Sequence, residues 1–231
     1  MYDKQSYDKL IDIYASDLDR LRELEELHKK KVQLMKLKSE ANYYKPYIID
    51  FAGTPNAGIA TTINMMTDFF KNCGYDVVNI QENNNTIKDM EKIMYIAKNH
   101  ELVFINRGIL DGYVKYIVNS EGNNKNFYLA CRKFLKEIDK VVVMKCDPIT
   151  AARRKYFNSI TLEPDFNLFP ENIKKYNEAL TKGMLPLYDI IKDTYMIDTT
   201  NLDKTDTAIK VCNNILGGYR QKIWQRNCLF V

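Results

Sequence analysis

The sequence predicts a three-layer α/β fold in which helices cover both faces of a five-stranded parallel sheet. Two observations carry this reading. Five short apolar runs, at 47–52, 75–81, 101–106, 140–146 and 194–198, alternate with helix-like stretches. The first run enters a glycine-framed turn, Gly53-Thr54-Pro55-Asn56-Ala57-Gly58, with a helical pattern directly behind it. Parallel strands of this kind are joined by right-handed crossovers, and a ligand sits beyond their carboxyl ends.

Taken in order, residues 1–44 read as a helical extension and residues 45–231 as the α/β domain. Ser16 or Asp17 caps a helix whose stripe is Leu18, Leu21, Leu24 and Leu27, with Glu25–Lys29 and Glu26–Lys30 four apart in the favourable order. That stripe packs either on the domain or on a second subunit, which makes a homodimer an expectation. Past the glycine turn, Ile63, Met65, Met66, Phe69 and Phe70 continue a helix that ends with Gly74 as its cap. The second strand closes at Glu82, and a helix over 87–99 follows. The third strand runs into Asn106-Arg107-Gly108, and residues 127–138 are helical. The fourth strand, KVVVMKC, is stopped by Asp147-Pro148 ahead of a basic helix, Ala151 to Tyr156. Pro164, Pro170 and the acids between them suggest a mobile loop before a helix over 171–182. A last helix, 203–216, is expected to end at Gly217-Gly218.

Bulk composition narrows the function classes. With 45% apolar and 28% charged residues and only 9 Gly and 6 Pro, the chain is neither disordered nor repetitive. A net charge of +4, spread with alternating sign, suits an anionic ligand without demanding nucleic acid. Five scattered cysteines without a C-x-x-C pair fit a reducing cytoplasm and give no disulfide framework or zinc site. No run is long enough to span a bilayer, so no membrane partner is expected. The terminal Cys228-Leu229-Phe230-Val231 has the spacing of a prenylation signal, but valine is not a preferred last residue.

Strand, glycine-framed turn and helix together make a phosphate-binding loop, in which first-turn amides face an anion. The cradle spans Gly53, Thr54, Pro55, Asn56, Ala57, Gly58, Ile59, Ala60 and Thr61. Its usual pattern is G-x-x-x-x-G-K-[ST]. Here Ile59 stands at the lysine position and Ala60 at that of the metal-binding hydroxyl. A missing charge-assisted contact forfeits roughly 1.5–3 kcal/mol. Three other strand ends offer chemistry. Glu82 is either a general base or a solvated turn acid. Arg107, with Asp111 beyond it, is placed to clamp a phosphoryl group, while Asn106 before it brings a hydrogen bond without charge. Arg153, Arg154 and Lys155 form either a phosphate-closing lid or a basic solvated face. Tyr113, Tyr116 and Phe127 are either stacking surfaces or core. No N-K-x-D is present to read guanine.

Residues 46 to about 200 resemble the P-loop nucleoside and nucleotide kinases, especially their deoxynucleoside-kinase and thymidylate-kinase branch. The resemblance rests on GTPNAG, on Glu82, on Asn106-Arg107-Gly108 and on VVVMKCDPITAARRK. It implies ATP and Mg2+ as cofactors, with Glu82 as base toward a substrate hydroxyl. Arg107 would act beside the phosphates, and Arg153 or Arg154 would neutralise the transferring group. Ile59, Ala60 and Asn106 each replace a residue that handles phosphate charge or magnesium. The expected function is therefore phosphoryl transfer from ATP to a small hydroxyl or phosphate acceptor, at reduced activity. The alternative is a non-catalytic nucleotide- or partner-binding protein that assembles through its helical arm.

Overall fold

The computed structural model describes residues 46–81, 86–119, 125–158 and 169–228, together with Asp19, Arg20 and Arg22. Five strands, β1 (Tyr47–Gly53), β2 (Val77–Ile80), β3 (Leu102–Asn106), β4 (Lys140–Lys145) and β5 (Thr194–Asp198), form one sheet in the order β2-β3-β1-β4-β5. Every pairing is parallel. β1 lies between β3 and β4, so all seven of its residues are buried and its sequence shows no polar alternation. Its side chains still divide by face. Tyr47, Ile49 and Phe51 enter one core, Ile48 and Ala52 the other. The described residues form seven helices, and the architecture is a three-layer α/β/α, P-loop-like fold.

One layer is built on α1 (Ile59–Asn72) and α7 (Lys204–Cys228). Ile63, Met66, Phe69 and Phe70 recur at helical spacing and put one face of α1 on the sheet. Gly74 ends α1 as expected, at φ 85° with its N–H on Lys71 O. The other layer holds α2 (Ile87–Ala97), α3 (Ile109–Asn119), α4 (Lys125–Leu135) and α6 (Pro170–Met184). A capping box between Thr86 and Asp89 starts α2, and Pro170 occupies the first turn of α6. α5 (Pro148–Asn158) follows β4, capped by Asp147, whose Oδ2 accepts from Thr150 N at 2.8 Å.

The structure corrects the sequence reading in three places. Helix α3 fills 109–119, where no element was expected. Helix α4 begins and ends two to three residues earlier than the 127–138 expected. Helix α7 runs through Gly217-Gly218 instead of stopping there. A Cβ at residue 218 would lie 2.3 Å from the Tyr47 hydroxyl and 3.2 Å from Lys140 Cε, so this glycine lets the helix pass close over the strand ends. Tyr113 and Phe127 are core residues at 8% and 7% exposure, and Tyr116 stacks on Phe127 with centroids 5.0 Å apart. Of the expected extension, only Asp19, Arg20 and Arg22 are described. Arg20 pairs with Asp206 in the first turn of α7 at 2.6 Å. The leucine stripe, the 159–168 loop and the tail beyond Cys228 lie outside the described residues. Among those residues, no helix is long and apolar enough to cross a membrane.

The tightest constraint on backbone lies at the end of β1. Gly53 has φ 155°, and a Cβ there would sit 2.0 Å from Met144 O of β4. Gly53→Ala is expected to lower unfolding free energy by about 2–4 kcal/mol, from combined strain and overlap. Urea titration checks this, and a loss below about 0.5 kcal/mol would contradict the reading.

Candidate functional site

The site begins where β1 gives out. Thr54 leaves the strand with its N–H on Met144 O at 2.9 Å, and Ala57 N returns to Thr54 O at 3.1 Å. Pro55 then occupies the second position of a tight turn, and Asn56, at φ 60°, the third. Proline followed by a left-handed residue is the arrangement of a type II turn. Gly58, at φ 92°, caps α1 with no side-chain hydrogen bond, and the first turn of α1 contains no acid. The N–H groups of Ile59, Ala60 and Thr61 therefore open the helix without intrahelical acceptors, at the positive end of its dipole.

The two altered positions differ in placement. Ile59 is 3% exposed and belongs to the apolar core between sheet and helix. Ala60 and Thr61 are exposed at the mouth of the loop. Asn56 Nδ2, a donor, and Asn106 Oδ1, an acceptor at the end of β3, are buried without a partner. Asn106 pairs in register with Phe51, so both atoms belong to the same end of the central strands.

Behind the loop, Thr54 is fully buried. Its hydroxyl donates to Asn177 Oδ1 at 2.7 Å and accepts from Cys146 N at 3.0 Å. Asn177 Nδ2 donates to Cys146 O at 3.2 Å, closing a ring that ties the loop to β4 and α6. Beyond Asn177 a groove of about 720 Å³ opens between α5 and α6, lined among others by Lys145, Asp147, Lys174 and Thr181.

Two of the arginines are committed inward, Arg107 and Arg154. Arg107 adopts φ 54°, a left-handed conformation uncommon for a residue with a Cβ. Its Nη1 donates to Gly53 O at 3.3 Å and Asp111 Oδ1 at 3.2 Å, and its Nη2 to Thr54 O at 3.4 Å. Asp111 is fully buried and also takes Lys115 Nζ at 3.2 Å and the Tyr176 hydroxyl. Burial, with Asp111 adjacent, pushes the Tyr176 phenol far above its ordinary range. A buried carboxylate with two cations and a phenol is the compensated arrangement such a charge requires. Arg154 donates to the carbonyls of Thr199, Thr200 and Leu202 at 2.5, 3.4 and 3.4 Å, and so ties α5 to the segment after β5. Arg153 is exposed on α5. Glu82 lies outside the described residues.

Sequence reasoning did not find two members of this site. Asn177 is 123 residues from Thr54 and gives no local signal. Asp50, an acid inside an apolar strand, is a signal that passes unread when the run is taken only as a strand.

Loop and sheet together place the chain in the class of P-loop-like three-layer α/β/α proteins. No family model and no curated protein matches the chain. Among solved structures it is similar to the YorR protein of Bacillus subtilis, determined in complex with phosphorylated GDP. The TM-score is 0.54 at 16% sequence identity, covering 73% of this chain and 95% of YorR. At that identity the likeness speaks for the fold.

Asn177→Ala leaves a buried hydroxyl proton and the Cys146 carbonyl without their partner. A loss of about 1–3 kcal/mol is expected. Chemical denaturation with an unchanged m-value reads it out, and an unaltered midpoint would show that the ring contributes nothing.

Proposed function

We propose that this protein binds a nucleotide by its phosphates at the loop amides of Asn56 and of Gly58 to Thr61 and does not efficiently transfer a phosphoryl group. One observation carries the reading. The loop keeps its phosphate-cradling backbone, whereas Ile59, at the lysine position, is sealed in the core at 3% exposure. Backbone amides and a helix dipole hold an oxyanion without a lysine, at reduced strength. The unpartnered Asn56 Nδ2 adds a side-chain donor beside them.

The residues present fit phosphate and do not fit Mg2+. Ala60 has no side-chain oxygen to offer, Asn106 has no charge, and Asp111 is saturated by Arg107, Lys115 and Tyr176. Among the described residues no cluster of three His, Cys, Asp or Glu side chains could hold a metal. A bound nucleotide would supply the polyanion that the uncapped first turn of α1 lacks. Arg107 reaches that anion only by releasing the carbonyls of Gly53 and Thr54. Phosphoryl transfer needs charge neutralised at several points of the transferring group. With Arg154 holding three carbonyls and no lysine in the loop, that neutralisation falls to Arg107, Arg153 and the amides. Adenine and guanine nucleotides are both to be tested, since the nucleotide in the YorR structure is a phosphorylated GDP.

Calorimetric titration of ATP and GTP, each with and without Mg2+, tests the proposal on the protein as it stands and on Ile59→Lys/Ala60→Thr. Binding of one nucleotide with little response to Mg2+ is expected, with no turnover. A lysine at 59 must turn out of the core to reach the phosphates, so the double variant is expected to lose stability; once folded it is expected to bind roughly 10- to 150-fold tighter and to become Mg2+-dependent, the equivalent of about 1.5–3 kcal/mol. Failure of the unaltered protein to bind either nucleotide would remove the reading. Mg2+-dependent turnover by it would restore the kinase.

A further inference from the structure

Asp50 stands in the middle of β1 at 0% exposure, on a face of that strand whose other side chains are aliphatic. Its register partners are Ile105 and Val141, and Ile48 and Ala52 flank it on the same face. Its Oδ2 accepts from Leu110 N, in the first turn of α3, at 2.9 Å, while its Oδ1 has no partner. A Cβ at residue 108 would lie 1.9 Å from that Oδ1, so Gly108 is the residue that lets α3 start directly against the carboxyl group. The acid thus caps α3 from the strand beneath it. α3 begins two residues after Arg107 and contains Asp111, and β1 leads into the phosphate loop three residues further on.

Burial pushes the Asp50 carboxyl up to about 7, against the amides of Leu110, Ile109 and Gly108, which pull it down; Asp111 adds to the rise. The other titratable groups facing it are Cys131 of α4 and Tyr176 of α6, and burial holds both in their neutral forms near neutral pH. A carboxyl group this fully desolvated, with one oxygen unpartnered, favours its protonated form, and it stands on the strand that leads into the loop.

We infer that Asp50 couples phosphate binding to proton uptake: an anion on the loop draws a proton onto this buried carboxyl group, and affinity falls as that proton is lost. The inference rests on the nucleotide-binding reading. Its physical basis is repulsion between like charges through a poorly screening interior. Three residues of strand separate Asp50 from Gly53, about 10 Å at 3.3 Å per residue. At that range a unit charge shifts the ionisation of a buried acid by roughly one tenfold step. The carboxyl group is a positioning residue as well, since its ionised form holds the first turn of α3 more strongly than its neutral form.

Calorimetry of the same nucleotide near pH 7, in buffers of different ionisation enthalpy, counts the protons taken up. The protein as it stands is expected to take up a fraction of a proton more than Asp50→Asn. Its affinity is expected to fall three- to tenfold relative to Asp50→Asn between pH 6 and 8.5. The ligand's own phosphate ionisation is common to both proteins and cancels in that comparison. Equal uptake and parallel pH profiles would overturn the inference while leaving nucleotide binding intact; absence of binding to either protein would overturn both. A second measurement needs no variant. In the 13C NMR titration of Asp50, saturating nucleotide should move the midpoint to higher pH, and an unmoved midpoint overturns the coupling. Urea unfolding reads the Asp50 titration without any ligand. An unfolded chain ionises this carboxyl near the usual carboxylate range, so stability should fall as pH rises from about 4 to 7, a slope that Asp50→Asn should lack.

Discussion

Two central strands meet where the loop departs, and the rest of the site depends on how closely they do so. Met144 O of β4 lies where a Cβ of residue 53 would be, and the same oxygen accepts Thr54 N. Only glycine permits the approach, and only this approach brings the Thr54 hydroxyl within reach of Cys146 N and Asn177. A buried hydroxyl used as both donor and acceptor contributes about a kilocalorie per bond but costs more when stranded. The chain therefore leaves β1 in one direction, turns at Pro55-Asn56, and starts α1 at Gly58. Thr199 Oγ1 secures the far side of the turn by donating to Ala57 O at 3.0 Å, and Arg154 holds Thr199 in turn.

This rigidity divides the polar groups of the site into two populations. The side-chain cations are spent on the protein: Arg107 on loop carbonyls and Asp111, Lys115 on Asp111, Arg154 on the segment after β5. Asp111 offsets one of these positive charges, and the rest are held in place by carbonyls and not aimed at the loop. The amides that open α1 and the side chains of Asn56 and Asn106 are not compensated by the protein in this way. An arriving anion meets hydrogen-bond donors and a helix dipole first and fixed positive charge second. That order favours binding over catalysis, because a transferring phosphoryl group needs charge neutralised at the moment of transfer.

Most of the fold is written locally. β1, β3 and β4 are apolar runs because each is covered on both faces. The spacing of Gly53 and Gly58 survives in sequence because each glycine meets a backbone requirement. Other elements are settled only by packing. α3 is masked by Gly108, Gly112 and a tyrosine-rich composition, and it forms because Asp50 caps it from another strand. α7 crosses two glycines that each cost about 1 kcal/mol in a helix, since close passage over Tyr47 and Lys140 outweighs propensity. Within the site, the glycine turn between strand and helix was legible but the commitments of its neighbours were not. Nothing in the sequence near Arg107 says that its guanidinium turns back onto Gly53 and Thr54, and nothing near residue 177 says that it completes the loop.

Isoleucine at 59 and alanine at 60, on a loop framed by Gly53 and Gly58, have an asymmetric physical cost. Gly53 and Thr54 are constraints of the sheet, and removing them strains or unpairs buried groups whether or not a ligand is ever bound. Ile59, by contrast, improves the core, and Ala60 at the surface costs nothing. Gly53 and Thr54 are thus demanded by the fold alone, and the ligand reading draws instead on the turn behind them and on the open first-turn amides of α1. A further witness is the pair Asn56 Nδ2 and Asn106 Oδ1. A buried donor and a buried acceptor left unsatisfied cost about 1–3 kcal/mol each, and apolar replacements of similar shape would remove that cost. Asn56 also meets the left-handed position of its turn, so the sharper sign is Asn106 at the end of β3. Its unpartnered Oδ1 is what a bound polar ligand would explain.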